Sequence, residues 1–413
     1  MSSSSPIKTR RVFYIPGYDP IHPRRYRELY RKEGADQAAI SGYSVSLRPK
    51  VSKGKNPFGW HVTGQFDNAT VETDVEVLVW SDIVRASMAS SILATYFSLV
   101  KTASIYIGTG ALFRLMRLRK GPVIAALYPV MFLLAQLLVA ILVGWAVSQG
   151  LSALIKGLFE GPAILGWLAF PVVMTLVLKW FKKRDGRFFA YYLMHDYSFS
   201  AKYLGGNPNA LEERISEFVN IISEALSSDV DEVLVIGHSS GAHLAVSILS
   251  DVIRAGRLPR GNSKTTPVLS FLSLGQVVPM VSFLPRATRL RGDLAFLSQQ
   301  SELTWVDVTA PGDGCAFALC DPVAVSGVAP ANRQWPLVLS AAFTQTLSEK
   351  RWKELRWRFF RLHFQYLCAF DRPDHYDYFA ISAGPLTLYD RYKSKPASKT
   401  RIETPVNKYR DIA

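Results

Sequence analysis

A 35-residue stretch without one charged side chain constrains this chain more than any other feature. Residues 121–155 read GPVIAALYPVMFLLAQLLVAILVGWAVSQGLSALI, and a second uncharged stretch, GPAILGWLAFPVVMTLVL, occupies residues 161–178. About 20 apolar residues cross the hydrocarbon core of a bilayer as a helix. The alternative, a pair of buried core helices, is disfavoured by the length of the first stretch and by aromatic residues such as Trp145, Trp167 and Trp180. We therefore predict two membrane helices, near residues 121–148 and 161–180.

The charged residues that flank these stretches predict their orientation. Basic residues precede the first span and follow the second: Arg114, Arg117, Arg119, Lys120, Lys179, Lys182, Lys183 and Arg184. The connection between the spans carries only Lys156 and Glu160 as charged residues. By the positive-inside rule, both basic flanks are cytoplasmic and the connection lies on the other side. The sequence thus predicts an integral membrane protein of a bacterial inner membrane or a plasma membrane, with both termini in the cytoplasm.

A less apolar stretch, residues 86–113, precedes the first span and is interrupted by Lys101. Because it contains several serine, threonine and glycine residues, hydropathy leaves three possibilities open. The stretch crosses the membrane, lies in the interface, or packs on the soluble part of the protein. Together with the two spans, it forms a predicted membrane insertion at residues 86–185.

Composition narrows the class of protein further. Hydrophobic residues make up 49% of the chain, which excludes disorder of the whole chain. Three cysteines are too few for a disulfide framework and favour a reducing compartment. The first ten residues lack the apolar core of a secretory signal, so export by that route is not expected. The Ser-rich start and the polar, basic end of the sequence predict a disordered N-terminus at 1–10 and a flexible tail at 393–413. The 48 basic and 33 acidic residues leave a net charge of +15, which attracts either nucleic acid or an anionic membrane surface.

Outside the insertion, strand-like and helical segments alternate. β-rich runs lie at 11–15, 43–47, 60–66, 71–80, 233–236, 268–274, 303–308 and 337–342, and helical periodicity is found at 24–35, 210–226 and 241–255. Such alternation is typical of an α/β fold with a mostly parallel sheet flanked by helices. We therefore predict a discontinuous α/β domain, residues 11–85 and 186–392, interrupted by the two-helix membrane insertion.

One motif carries chemistry. Between the apolar strand VLVI and the helix that follows it, the chain reads Gly237-His238-Ser239-Ser240-Gly241. This is a G-x-S-x-G sequence in a strand–turn–helix context, where a tight turn leaves no room for a Cβ at either glycine. The turn exposes the serine hydroxyl above the sheet, and the N-terminus of the helix adds partial positive charge. The motif predicts that Ser239 is a nucleophile.

With this motif, the sequence resembles the α/β-hydrolase superfamily of serine lipases and esterases. The resemblance implies a nucleophile, an acid and a histidine in that order along the chain, with the acid in a loop after a strand that follows the nucleophile. Asp313, between two glycines just past the strand at 303–308, fits that position best. Asp307 lies within the strand, and Asp321 precedes a proline and is suited to capping the next segment.

The same order restricts the base. Of seven histidines, only His363 and His375 follow the acid loop. His363 has apolar neighbours that hold a ring rigidly, whereas His375 lies in the polar segment DRPDHYD, whose carboxylates favour a protonated ring. We favour His363 as the base and retain His375 as the alternative.

The resemblance also implies an oxyanion hole. Its donors are the backbone N–H of Ser240 and that of Tyr18 or Gly17, in the turn after the first strand. Metal-ligand spacing, a P-loop and a dinucleotide-binding glycine motif are absent, so neither a metal nor a cofactor is predicted. In this family the first strand and the strand before Ser239 share one sheet, so the chain between them crosses the membrane an even number of times, and 86–113 is not a lone third span.

These features predict a membrane-anchored serine hydrolase that cleaves a carboxylic ester or thioester with an apolar acyl group through an acyl-enzyme on Ser239. The lipid bilayer is the expected partner. An acyltransferase with the same machinery and a catalytically silent scaffold for interactions at the membrane are the alternatives. No nucleic acid is expected, because many basic residues border the spans; further basic residues lie in the tail and around 350–361.

Overall fold

A computed structural model describes residues 6–50, 58–159, 161–257 and 267–413. Within this part of the chain, eight strands form one sheet in the order β2-β3-β4-β1-β5-β6-β7-β8. The strands are β1 (Thr9–Ile15), β2 (Ser44–Pro49), β3 (Phe58–Phe66), β4 (Ala69–Val77), β5 (Glu232–His238), β6 (Val268–Leu274), β7 (Leu303–Thr309) and β8 (Leu337–Ser340). The pairs β2–β3 and β3–β4 are antiparallel and the other five are parallel. The prediction of an α/β fold with a mostly parallel sheet is confirmed.

Helices cover both faces of the sheet and form the insertion. They are α1 (Arg24–Ser41), α2 (Ser81–Met88), α3 (Ile92–Gly108), α4 (Ala111–Leu118), α5 (Lys120–Phe159), α6 (Ala169–Lys183), α7 (Asp185–Phe188), α8 (Ala190–Lys202), α9 (Asn209–Leu226), α10 (Ser240–Arg254), α11 (Val278–Ser282), α12 (Thr288–Leu297), α13 (Pro322–Val325), α14 (Phe343–Thr346), α15 (Glu349–Leu355), α16 (Phe359–His363), α17 (Tyr378–Ala383) and α18 (Leu388–Tyr392). Two 3₁₀ segments, Ala163–Leu168 and Gln365–Leu367, complete the set.

The central strand β5 shows why the sheet is buried on both faces. Val233 and Val235 point into one hydrophobic cluster, with α9 and α10, while Leu234 and Ile236 belong to the cluster on the opposite face. All four side chains are fully buried. A strand whose successive side chains enter two different cores must be apolar throughout, which is the VLVI pattern.

The strand order of the sheet reverses between the neighbouring strands β1 and β5. From β1 the chain continues to strands on one side, β2 to β4, whereas from β5 it continues to the other side, through β6 and β7 to β8. The loops after β1 and β5 therefore diverge and leave a crevice at the carboxyl ends of these two neighbouring strands. Ligand sites of open α/β sheets lie in crevices of this kind.

The insertion contains two helices that are long and apolar enough to cross a membrane, one at 120–158 and one at 163–183. The predicted pair of membrane helices is confirmed to that extent. The two helices approach closely at small residues: a Cβ at Gly144 would lie 3.2 Å from the Phe170 ring, and one at Gly166 would lie 2.4 Å from the backbone nitrogen of Ser152. Small residues permit such close helix packing within a bilayer, where apolar association supplies little driving force.

The first of these helices differs from the predicted span in extent. α5 continues through Pro129 and runs to Phe159 instead of ending near residue 148, because the next proline along the chain is Pro162. At the other end, the Tyr128 hydroxyl donates to the Phe188 carbonyl (2.7 Å), and the Phe132 ring lies 4.9 Å from the Phe188 ring. Since Phe188 follows α6, the turns of α5 before these contacts extend past the end of α6. Of the connection between the spans, Glu160 lies outside the described residues.

The stretch at 86–113 contacts the soluble part of the protein, and it belongs to a bent helix pair that is also long and apolar enough for a broken span. It comprises the end of α2, all of α3 and the start of α4, with a bend of 103° between α2 and α3. α3 buries Leu99 and Tyr106, the latter donating to the Met280 carbonyl (2.9 Å), while Leu93 and Phe97 on its other side are about three-quarters exposed. α3 therefore presents an apolar face that the protein itself does not cover.

Both chain ends differ from expectation where they are described. Residues 1–5 of the predicted disordered N-terminus lie outside the described residues, but Ile7 is buried and β1 begins at Thr9. The tail predicted to be flexible lies against the domain: Glu403 pairs with Arg333, and the Asn407 amide donates to the Ser282 carbonyl (2.9 Å). Its basic composition did not reveal these contacts, because the partners come from distant segments.

Candidate active site

Ser239 occupies a strained turn between β5 and α10. Its backbone has φ 56° and ψ −121°, a combination that residues other than glycine rarely adopt. A Cβ at Gly237 would lie 2.7 Å from the Cα of Ala242, and one at Gly241 would lie 2.1 Å from the Ile15 carbonyl oxygen. A side chain at either position would clash with neighbouring backbone atoms, so both positions require glycine.

The turn after β1 lies directly against Ser239. A Cβ at Gly17 would be 3.0 Å from the Cβ of Ser239 and 3.4 Å from its Oγ. Among the described residues, the backbone N–H groups of Gly17, Tyr18 and Ser240 have no hydrogen-bond partner. Ser240 together with Tyr18, or with the alternative Gly17, supplies two free donors beside a nucleophilic oxygen, the kind of pocket that stabilises a developing oxyanion.

Side chains from α2, α8 and the segment between β4 and α2 hold this turn in place. The indole N–H of Trp80 donates to the Pro16 carbonyl (2.9 Å). The Tyr192 hydroxyl donates to the Tyr18 carbonyl, and the Tyr18 hydroxyl is hydrogen-bonded to Ser87. With its carbonyl groups occupied, the turn can present its N–H groups to a ligand without rearrangement.

Asp313 and His363 form a buried pair. The His363 Nδ1 lies 2.7 Å from the Asp313 Oδ2, and both residues are less than 10% exposed. Tyr366 donates to the same oxygen (3.0 Å), and the Cys315 N–H donates to Oδ1 (2.9 Å). Burial alone would raise the pKa of Asp313, but the charge of His363 and these hydrogen bonds outweigh it and hold the pKa below its usual value. The carboxylate is therefore ionised and orients the ring of His363.

The other ring nitrogen of His363 is free. Nε2 is buried and has no hydrogen-bond partner in the described part of the chain. With Nδ1–H donating to Asp313, Nε2 carries the lone pair. His363 and Ser239 line the same cavity, of about 90 Å³, together with Gly17, Tyr18 and Ser240. The cavity thus brings together a hydroxyl, an unpartnered imidazole nitrogen and the two free N–H groups.

His238, which the order of residues along the chain excluded as a base, positions His363. Its Nε2–H donates to the His363 carbonyl (3.0 Å), and its Nδ1 lies 3.3 Å from the Tyr14 hydroxyl. Burial, followed by the charge of His363, lowers the pKa of His238 to about 3, so the ring remains a neutral donor. The only signal in the sequence was its place inside the G-x-S-x-G motif.

The alternative residues lie elsewhere. His375 pairs through Nδ1 with Asp374 (2.8 Å) and does not line the cavity. Asp307 accepts from Ser273 (2.6 Å) inside the sheet, where burial raises its pKa to about 8. Asp321 caps α13, as its position before a proline suggested. None of these three residues contacts Ser239 or His363.

A second carboxylate faces the cavity without a partner. Asp196, on α8, lines the cavity and makes no hydrogen bond or ion pair with the described residues. Burial raises its pKa to about 7, and the nearby charge of His363 opposes this rise. Sequence reasoning missed Asp196, because a single aspartate in the aromatic run YYLMHDYSF carries no motif.

One arrangement of side chains also permits metal binding. Ligand atoms of Asp313, Cys315 and His363 lie within 4.8 Å of one another. However, burial raises the pKa of the Cys315 thiol well above its usual value, which favours the neutral thiol, a poor metal ligand. Asp313 and His363 are also hydrogen-bonded to each other, so the site fits acid–base chemistry better than a metal.

Comparison of the chain with protein-family models, with curated proteins and with solved structures finds no match. The function must therefore be inferred from the geometry of the cavity. That geometry consists of a strained serine, a carboxylate–imidazole pair and two free backbone donors at the crevice between β1 and β5.

Proposed function

We propose that this protein is a membrane-anchored serine hydrolase that cleaves a carboxylic ester or thioester. The observation that carries the proposal is the buried Asp313–His363 pair, whose free Nε2 shares a cavity with Ser239. An α/β-hydrolase scaffold is part of the proposal. It is supported by the strained turn at Ser239 and by the chain order of nucleophile, acid and histidine.

The proposed reaction uses the groups of the cavity in sequence. His363 Nε2 accepts the hydroxyl proton of Ser239 as Oγ bonds to the carbonyl carbon of the substrate. The N–H groups of Tyr18 and Ser240 donate to the oxyanion that forms. The bond to the leaving group breaks, the imidazolium of His363 returns the proton to that group, and an acyl-enzyme remains. Water, deprotonated by the same nitrogen, then releases the carboxylic acid and regenerates Ser239.

The membrane anchor is the second half of the proposal. The basic flanks of α5 and α6 lie at the same end of the hairpin. Arg119 donates to the Ala318 carbonyl of the soluble part (2.8 Å), and Lys182 donates to the Ser90 carbonyl in the segment between α2 and α3 (2.6 Å). By the positive-inside rule, this end and the catalytic unit are cytoplasmic.

A single cysteine reporter at position 156 should react with an impermeant reagent in intact cells, while reporters near both termini stay protected. Reaction of the ends alone would show the opposite orientation.

A fluorophosphonate probe tests the chemistry. The wild-type protein should be labelled covalently, and Ser239→Ala should abolish the labelling. Ser240→Ala is the matched control, because the proposal uses the backbone N–H of Ser240 and not its hydroxyl. Undiminished labelling of Ser239→Ala would contradict the proposal, as would equal loss in both variants.

A further inference from the structure

An apolar cavity lies beside the site, at the base of the membrane hairpin. It has a volume of about 180 Å³ and is enclosed by α3, α4, the first turns of α5, α8 and Met280. Its walls include Ala103, Leu115, Ala126 and Met194, and none of its lining residues carries a charge. We call it the acyl-side cavity.

The acyl-side cavity adjoins the cavity that contains Ser239. Three side chains line both: Tyr106, Tyr197 and Met280. Among the described residues, the Tyr197 hydroxyl has no hydrogen-bond partner, whereas Tyr106 is tied to the Met280 carbonyl (2.9 Å). The two cavities therefore differ sharply in polarity across a wall one side chain thick. A substrate that joins a polar reacting carbonyl to a long apolar chain matches this pair of cavities, with its polar part in one and its apolar part in the other.

The other end of the acyl-side cavity reaches the surface that faces lipid. Ile107 on α3 and Leu127 on α5 line the cavity and are also 51% and 42% exposed. Around them, Val100 on α3 and both Ile124 and Met131 on α5 are more than 60% exposed. Exposed apolar surface of this extent is typical of contact with a membrane. This part of α5 precedes its contacts with Phe188 near the end of α6, which places the opening near the basic, cytoplasmic end of the hairpin.

From this continuity we infer that the acyl-side cavity holds the hydrocarbon chain of a lipid ester or thioester that enters sideways from the bilayer. The inference rests on the proposed function and adds its substrate class: long acyl chains are preferred over short ones. The chain passes between α3 and α5, and its carbonyl carbon reaches Ser239 past Tyr106, Tyr197 and Met280. Burying the chain against walls that carry no charge supplies binding free energy that a short acyl group lacks.

The test fills the acyl-side cavity from one wall. Full-length wild-type protein and Ala126→Phe, both in phosphatidylcholine vesicles, are assayed with p-nitrophenyl palmitate and p-nitrophenyl butyrate. In Ala126→Phe, kcat/KM for the palmitate should fall about tenfold or more, while the butyrate value and the rate of fluorophosphonate labelling stay within about twofold. Ala135→Phe is the matched control: it makes the same change at an exposed position of α5 and should leave both substrates unchanged.

The outcomes separate the two proposals. If wild-type protein neither hydrolyses the esters nor reacts with the probe, the proposed function fails and the inference with it. If the protein is active but Ala126→Phe leaves the palmitate-to-butyrate ratio unchanged, only the inference is overturned. An equal fall of the ratio in Ala135→Phe would also overturn the inference and leave the proposed function intact. Should Ala126→Phe fail to fold, Ala103→Phe fills the acyl-side cavity from α3 and must lower the ratio in its place.

Discussion

At the edge of the sheet, Asp313 and His363 are almost completely buried and held by hydrogen bonds, whereas in the hairpin large side chains such as Leu138 and Leu142 remain about half exposed. Only 22% of the apolar window in the helix at 120–158, and 11% of that at 163–183, is buried within the protein. The first region is organised by its own contacts. The second has a surface suited to lipid and a narrow seam of small residues. The groups of the proposed active site and the surface proposed to face lipid thus lie in separately packed regions.

The largest effect that would sharpen this comparison is expected at His363. His363→Ala removes the proton acceptor, and we expect turnover to fall by roughly 10³- to 10⁶-fold if Ser239, His363 and Asp313 act as a unit. His375→Ala, which changes a histidine outside the cavity, should alter turnover by no more than about twofold. Steady-state kinetics with one soluble ester makes the comparison. A large loss in His375→Ala with normal activity in His363→Ala would reverse the assignment.

A pair of glycine substitutions compares packing in the two regions directly. Gly241→Ala places a methyl group against the Ile15 carbonyl in the sheet, and we expect the free energy of unfolding to fall by about 2–4 kcal/mol. Gly150→Ala meets no atom within 4 Å on α5 and should change stability by at most about 1 kcal/mol, in the stabilising direction. Thermal unfolding in one detergent measures both. Equal melting temperatures in the two variants would contradict the tight fit of the turn around Ser239.

The smallest effect is expected at Asp196, where the two regions meet. Because the pKa of Asp196 is raised to about 7, its carboxyl group is mostly neutral at pH 6 and mostly ionised at pH 8. The ionised form repels a carboxylate product, so Asp196→Asn should bind a fatty acid about three- to tenfold more tightly than wild type at pH 8 and similarly at pH 6. Product inhibition constants at the two pH values provide the measurement. An equal difference at both values would show that charge is not the cause.

The sequence predicted those parts of the fold whose signals are local. The VLVI strand and the glycines around Ser239 are dictated by neighbours in the chain, and the strands were placed within a few residues. Asp313 and His363 were reached through chain order, which reflects the order of strands. The roles of His238 and Asp196 were missed because no local pattern carries them. His238 acts on the distant carbonyl of His363, and Asp196 lines the cavity without a partner among the described residues.

The insertion shows the same limit. Hydropathy located the two apolar helices, but it did not distinguish the turns of α5 that extend past α6 from those that pair with it. That division depends on Phe188, which lies nearly 30 residues after the end of α5. Likewise, the tail is ordered by Arg333 and Ser282, residues that no local pattern connects to it.

The position of β1 between β4 and β5 has a consequence for biosynthesis. β1 and β4 both precede the hairpin in the chain, whereas β5 follows it, so β1 cannot pair with β5 until the hairpin has been synthesised. During that interval one edge of β1 has no neighbouring strand. The guanidinium of Arg10 is then unpaired, because its partner in the complete sheet, Glu232 at 2.6 Å, has not yet been synthesised. A solvated charge on an open edge discourages pairing with other chains. The residue that later completes a buried ion pair thus provides, on the unfinished chain, a charge that disfavours aggregation through β1 until β5 has been synthesised.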